Sequence, residues 1–181
     1  MSELGERLLA LHDALDAGRI PHAIGGAIAL GYCTLEPRGT RDLDVNVFVG
    51  VDRVKDVFAA LPEPVAISGL SLERAERDGQ VRLWWEQTPI DLFFSVLPFH
   101  DRVAAEVRHV PFEGRTIPVV GCTALAVFKA MFDRTRDWAD IEAMIEAKTI
   151  DRDDAIAWVR RMQGEDSAAA SKLATLDTVT P

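Results

Sequence analysis

Apolar positions along the chain follow two rhythms. Near the N-terminus Leu8, Leu11 and Leu15 fall at helical spacing, and Gly18 supplies a stop. "RIPHAI" is short and extended, and "GGAIALGY" opens on two glycines before running into helix-favouring residues. "TLEPRGT" is a loop marked by Pro37 and Gly39. Val45, Val47, Phe48 and Val49 then form an apolar, largely β-branched run that reads as a buried strand. Asp52 is placed to cap a helix over "RVKDVFAALP". "VRLWW" and "IDLFFSV" read as a hairpin joined at "EQTP", and "EVRHVPFEGRTIPVV" as a second one turning at Glu113–Gly114. After Gly121 the rhythm is helical in "CTALAVFKAMF", "WADIEAMIEAK" and "DRDDAIAWVRRMQG". The final stretch, "EDSAAASKLATLDTVTP", is small and polar and reads as a mobile tail. Strands in the middle with helices on either side predict an α/β or α+β domain with a mixed sheet. The expected division is a core over 1–120, a helical region over 121–164 and the tail over 165–181.

The apolar strand is entered through "GTRDLDVNVFV", residues 39–49, with Asp42 and Asp44 two apart. Side chains on a strand alternate, so both carboxylates point the same way, with Cα atoms roughly 6–7 Å apart. Left alone in a buried setting they repel. A shared divalent cation relieves that repulsion, and Mg²⁺ suits a site with few carboxylates because water and phosphate complete its shell. A lone Asp-x-Asp pair is more often a solvated loop. Asp91, opening the apolar run "IDLFFSV", changes the balance: on a neighbouring strand it would reach the same end of the sheet, as in a two-metal centre. The plainer role for Asp91 is a strand-start residue after Pro89. Two glycines at a helix mouth, Gly25 and Gly26, let phosphate oxygens approach backbone N–H groups, although Gly-Gly by itself usually marks a turn.

The chain has 181 residues, 48% of them hydrophobic, and a formal net charge of −9. A core of that size excludes a disordered chain. The charge argues against coating nucleic acid by bulk attraction but leaves room for a metal-filled acidic pocket that takes a polyphosphate. No apolar run reaches membrane-spanning length, no secretory signal is seen, and Cys33 and Cys122 lack metal-ligand spacing. A disulfide framework is not expected, and a cytoplasmic location follows as the default.

"GGAIAL", "TRDLDVNV" and "IDLFF", in that order, resemble the nucleotidyltransferase superfamily related to DNA polymerase β over roughly residues 20–95. "FKAMFDRTRDWADIEAM" is similar to the corresponding helices of AbiEii-type toxin nucleotidyltransferases. The resemblance implies a metal-dependent enzyme that moves NMP from an NTP such as ATP to an acceptor hydroxyl. Asp42, Asp44 and Asp91 would hold Mg²⁺, or Mn²⁺ in its place. Gly25, Gly26, Ala27, Thr40, Arg41 and Lys129 would line the nucleotide, and Lys129 and Asp140 would join the acids in catalysis. It further implies a toxin acting on the tRNA 3′ end, paired with a cognate antitoxin protein. A small-molecule acceptor such as an antibiotic, or a protein hydroxyl including self-modification, are the alternatives. Ala27 departs from the pattern, since many relatives carry Ser or Thr there.

Other residues have plainer alternatives. Lys129 could snorkel to the surface, Asp137 could cap a helix beginning at Trp138, and Asp140, one turn further in, could hold Lys129. Thr40 shares the face of Asp42; its hydroxyl could close the loop, and a phosphoryl group on it would add negative charge beside the acids. Arg134 and Arg136 could face phosphate or the acidic rim; Arg38 and Arg41 stand at the strand entrance, where Arg41 could offset the crowded carboxylates. His22 reads as a packing or hydrogen-bonding residue, and one of Trp84 and Trp85 as core, the other as a stacking face.

Overall fold

The computed structural model describes residues 2–176 and divides them into two compact units. The first holds the N-terminus through Ala27 together with 39–120; the second holds 28–38 together with the chain from Gly121 onward. Residues 28–38, which the expected division placed in the core, are grouped with the C-terminal helices.

The first unit is a seven-stranded mixed sheet with helices. Its elements are α1 (Glu3–Ala17), β1 (His22–Ile24), β2 (Leu43–Val47), α3 (Val54–Ala60), β3 (Val65–Ala66), α4 (Gly69–Asp78), β4 (Gln80–Trp85), β5 (Thr88–Phe94), α5 (Phe99–Ala105), β6 (Arg108–Phe112) and β7 (Arg115–Val119). The helix α2 (Gly26–Thr34) starts in this unit and continues in the other. Strand order is β3-β4-β5-β2-β1-β7-β6. The pairs β2–β5 and β1–β7 run parallel, the rest antiparallel.

Burial explains the register at the centre. Leu43, Val45 and Val47 of β2 are fully buried, and so are Ile90, Leu92 and Phe94 of β5. These residues are partners across the parallel pair: Leu43 with Ile90, Val45 with Leu92, Val47 with Phe94. A slip of one residue would turn one apolar set out of the core. Both hairpins form where the turn residues predicted them. Glu86 in the first and Glu113 and Gly114 in the second adopt the positive φ that tight hairpin turns demand. Gly18 caps α1.

Three expectations need correcting. Asp52 caps nothing: it lies inside a 3₁₀ turn, Val51–Arg53, and α3 starts after it without a side-chain cap. The short β3, α4 and α5 had no counterpart in the sequence reading. The expected tail over 165–181 is in part the helix α9 (Ala168–Thr175), capped by Ser167 and burying Ala169, Ala170 and Leu173; residues 177–181 lie outside the described residues.

The second unit is helical: the body of α2, then α6 (Cys122–Phe132), α7 (Thr135–Glu146), α8 (Arg152–Gln163) and α9. Asp151 caps α8 by accepting from the Asp154 amide. Cys33 and Cys122 form a disulfide, their Cα atoms 5.5 Å apart, against the sequence expectation. Positions 89 residues apart carry no spacing signal, and only the fold brings them together. No described helix is long and apolar enough to cross a membrane.

Leu92 is fully enclosed at the sheet centre, where a cavity has little room to relax. Leu92→Ala is expected to cost about 2–5 kcal/mol, read from the urea midpoint of unfolding.

Candidate functional site

Because Leu43 and Val45 face the core, Asp44 between them leaves β2 on the opposite side, half-buried. The same alternation turns Asp91 out between Ile90 and Leu92. Asp44 and Asp91 are register partners, so the two strands present their carboxylates side by side. On the far side of β5, Arg82 of β4 is the register partner of Asp91. On the far side of β2, the Gly25 amide donates to the Asp44 carbonyl at 2.8 Å. One row therefore crosses four strands' width: Arg82, Asp91, Asp44, Gly25. Asp42 stands two residues before Asp44, just outside β2, and its carboxylate accepts from the Thr40 hydroxyl.

Arg82 grips Asp91 with two parallel bonds, Nε to Oδ1 at 2.8 Å and Nη2 to Oδ2 at 2.6 Å. The hydrogen-bonded Asp91 carboxylate, aided by the charges of Asp42 and Asp44, raises the Arg82 pKa above its already high ordinary value, against the opposing effect of burial.

The glycine turn is shaped around the acid. Gly26 has φ +53°, and a Cβ there would sit 1.8 Å from Asp44 Oδ2. A Cβ on Gly25 would lie 2.9 Å from Asn46 Nδ2. Gly26 is thus required by its φ and by the close approach of Asp44, whereas at Gly25 the near atom is the movable end of the Asn46 side chain. With the Gly25 amide spent on Asp44, the donors without an intrahelical acceptor at this corner are those of Gly26 and Ala27, the first residues of α2.

Among the described residues no three acidic, histidine or cysteine side chains cluster closely enough to cage a metal ion. Asp91 is next to Asp44 but is committed to Arg82. The remaining donor chemistry, two carboxylates at alternate positions on one face, fits a hard cation that keeps water and phosphate oxygens as its other ligands.

The helical unit carries a second ionic group. Lys129 is buried, with its ammonium 2.6 Å from Asp140 Oδ2 and 3.3 Å from Asp137 Oδ1. Arg38 bonds the other oxygen of Asp140, and Arg134 bonds Asp137 at 2.6 and 3.1 Å. Asp137 does not cap a helix at Trp138. The helix α7 begins at Thr135, and Asp137 is 1% exposed inside its first turn, where its carboxylate is needed by two cations. Burial alone would raise the Asp137 pKa, but Arg134 and Lys129 outweigh it and hold the carboxyl below the usual range.

The other sequence candidates are dispersed. Arg41 and Arg136 are exposed. Trp84 is 45% exposed on the same face of β4 as Arg82, while Trp85 lies near the Arg7 guanidinium, 5.9 Å from the ring centroid. His22 is a hydrogen-bonding residue: Nδ1 donates to the Ile20 carbonyl at 2.8 Å, so Nε2 accepts from His12 Nδ1 at 2.8 Å. Sequence reasoning missed Arg82. Its signal was the alternation of "VRLWW", which puts Arg82 on the polar face of a strand paired with the one that carries Asp91.

No protein-family model and no curated protein matches the chain. Solved structures do. The crystal structure of ANT(2″)-Ia with adenylyl-2″-tobramycin matches with a TM-score of 0.63 at 12% identity, over 92% of this chain and 100% of that one. The lincomycin-bound lincosamide antibiotic adenylyltransferase LnuA matches with a TM-score of 0.55 at 13% identity, over 81% and 98% of the two chains. JHP933 of Helicobacter pylori matches with a TM-score of 0.51 at 15% identity, over 96% and 89%. The chain has the nucleotidyltransferase fold.

Two expected outcomes test this geometry. Gly26→Ala must leave the left-handed region or push the Asp44 carboxylate aside, and should cost about 1–3 kcal/mol, measured by urea unfolding. Asp137, its folded pKa depressed, contributes stability that is present above the pKa of the unfolded chain. That stability is lost as pH falls through the lower folded value. The stability gap between the wild type and Asp137→Asn should therefore narrow below about pH 4, followed by unfolding curves across an acid pH series.

Proposed function

We propose that the protein transfers a nucleoside monophosphate from an NTP to an acceptor hydroxyl in a reaction that depends on Mg²⁺ or Mn²⁺. The observation that carries this reading is the in-register pairing of Asp44 with Asp91 on parallel strands, beside a glycine turn moulded to Asp44. Asp42 and Asp44 would hold the cation. When bound, it withdraws charge from the triphosphate and acidifies the acceptor hydroxyl. Asp91 accepts the proton of that hydroxyl; a carboxylate has lone pairs beyond the two that Arg82 uses. The acceptor oxygen bonds to the α-phosphorus in line as the bond to the β-phosphate oxygen breaks, and pyrophosphate leaves. The Gly26 and Ala27 amides donate to phosphate oxygens. Lys129 and Asp140 serve this reading as the ionic core of the helical unit, which the bonds between them support.

The acceptor we favour is a small hydroxylated compound. The net charge of −9 suits a cationic molecule better than a polyanion. The fold is shared, over nearly the whole length of both chains, with two proteins described as acting in antibiotic adenylylation or resistance. The tRNA 3′ end, with a cognate antitoxin, rests on the resemblance of residues 128–144 to AbiEii-type toxins and is the competing acceptor.

The deciding experiment incubates the protein with each α-labelled NTP and Mg²⁺, and with an aminoglycoside and lincosamide panel, total RNA or no acceptor. Label on a small compound is the expected result. Label on RNA overturns the acceptor, and no label anywhere overturns the activity. Asp44→Asn should reduce transfer at least about a hundredfold while leaving the circular dichroism spectrum unchanged.

A further inference from the structure

The acidic row already contains a cation, and it belongs to the protein. Arg82 contributes one positive charge to a face that carries Asp42, Asp44 and Asp91. Its fork occupies both oxygens of Asp91. The two partners differ in exposure: the Arg82 side chain is 52% exposed and Asp91 18%. The carboxylate is therefore fixed in the sheet surface, while the guanidinium approaches it from the solvent side on a long, flexible stem. A guanidinium and a divalent ion seek the same carboxylate oxygens. The Arg82 side chain is half exposed, so the guanidinium has solvent to move into.

We propose that Arg82 is the built-in counter-ion of the acidic row: it offsets the repulsion among Asp91, Asp44 and Asp42 in the cation-free protein and opposes the binding of a divalent ion by Asp42 and Asp44. The inference rests on the metal-dependent reading above, and it assigns Arg82 a positioning role rather than contact with substrate. Removing its charge takes one cation away from a face with three carboxylates and raises the site's affinity for an external cation. One unit charge removed about 5–6 Å from a divalent ion corresponds to a roughly tenfold change in affinity at the dielectric of water and to more nearer the protein surface.

The test is Mn²⁺ binding to the full chain, followed by electron paramagnetic resonance without nucleotide. It compares the wild type with Arg82→Gln, Arg82→Lys and Asp44→Asn. Arg82→Gln should bind Mn²⁺ at least about tenfold tighter. Arg82→Lys, which keeps the charge but loses the two-bond fork, should fall between it and the wild type. Unchanged or weaker binding in Arg82→Gln, with binding lost in Asp44→Asn, overturns the role of Arg82 and leaves the metal site standing. Binding unchanged in Asp44→Asn overturns the metal site itself, and this inference with it. In urea, cation-free Arg82→Gln should unfold earlier than the wild type, and saturating Mn²⁺ should close the gap; a gap of the same size at saturation overturns the proposal. Should Arg82→Gln fail to fold, Arg82→Lys carries the test, and Mn²⁺ binding equal to the wild type overturns it.

Discussion

The parallel register of β2 against β5 is the constraint on which the candidate site depends. Three apolar pairs lock it on the core side: Leu43–Ile90, Val45–Leu92 and Val47–Phe94. Since strand faces alternate strictly, the same lock sets the other side, and Asp44 meets Asp91 without any attraction between them. Hydrophobic burial thus supplies the force that brings two like charges together. The repulsion is a local cost carried by the core, and Arg82 offsets part of it. This separation of labour lets a polar site be held rigidly by groups that take no part in its chemistry.

Much of this was legible in the sequence, and for physical reasons. Asp42, Asp44 and Asp91 each open or interrupt an apolar β run, where a carboxylate conflicts with its surroundings. The second hairpin was legible because Gly114 tolerates positive φ, and the first because two β runs flank a short polar link. What stayed hidden depends on which strands become neighbours. Arg82 alternates with Val81 and Leu83 and looks like any solvent-facing residue until β4 pairs with β5. The Gly25 amide looked like a phosphate donor until its bond to Asp44 was visible. The helix α4 was missed because it is largely exposed and its apolar pattern is faint, and α5 because seven residues are too few to show a period. Most of α9 was hidden behind its small residues, since an alanine face can pack closely without announcing itself.

The helical unit shows a different use of charge. Three cations, Lys129, Arg38 and Arg134, share two carboxylates, Asp137 and Asp140. Burying such groups adds little net stability, yet removing one partner leaves an uncompensated charge inside. The network ties α6, α7 and Arg38 together through shared carboxylates. Lys129 and Asp140 stood out in the sequence for their chemistry. The structure gives them each other as partners, together with Arg38 from the segment before the acidic strand, 102 positions away.

The cross-link between Cys33 and Cys122 has a topological consequence. The stretch from 39 to 120, which carries β2 through β7, is an insertion in the helical unit, and its two ends leave that unit close to the bridged residues. The bridge closes a covalent ring around almost all of the sheet. A single peptide cut anywhere in that ring would leave one connected molecule, and only a thiol reductant would then release two pieces.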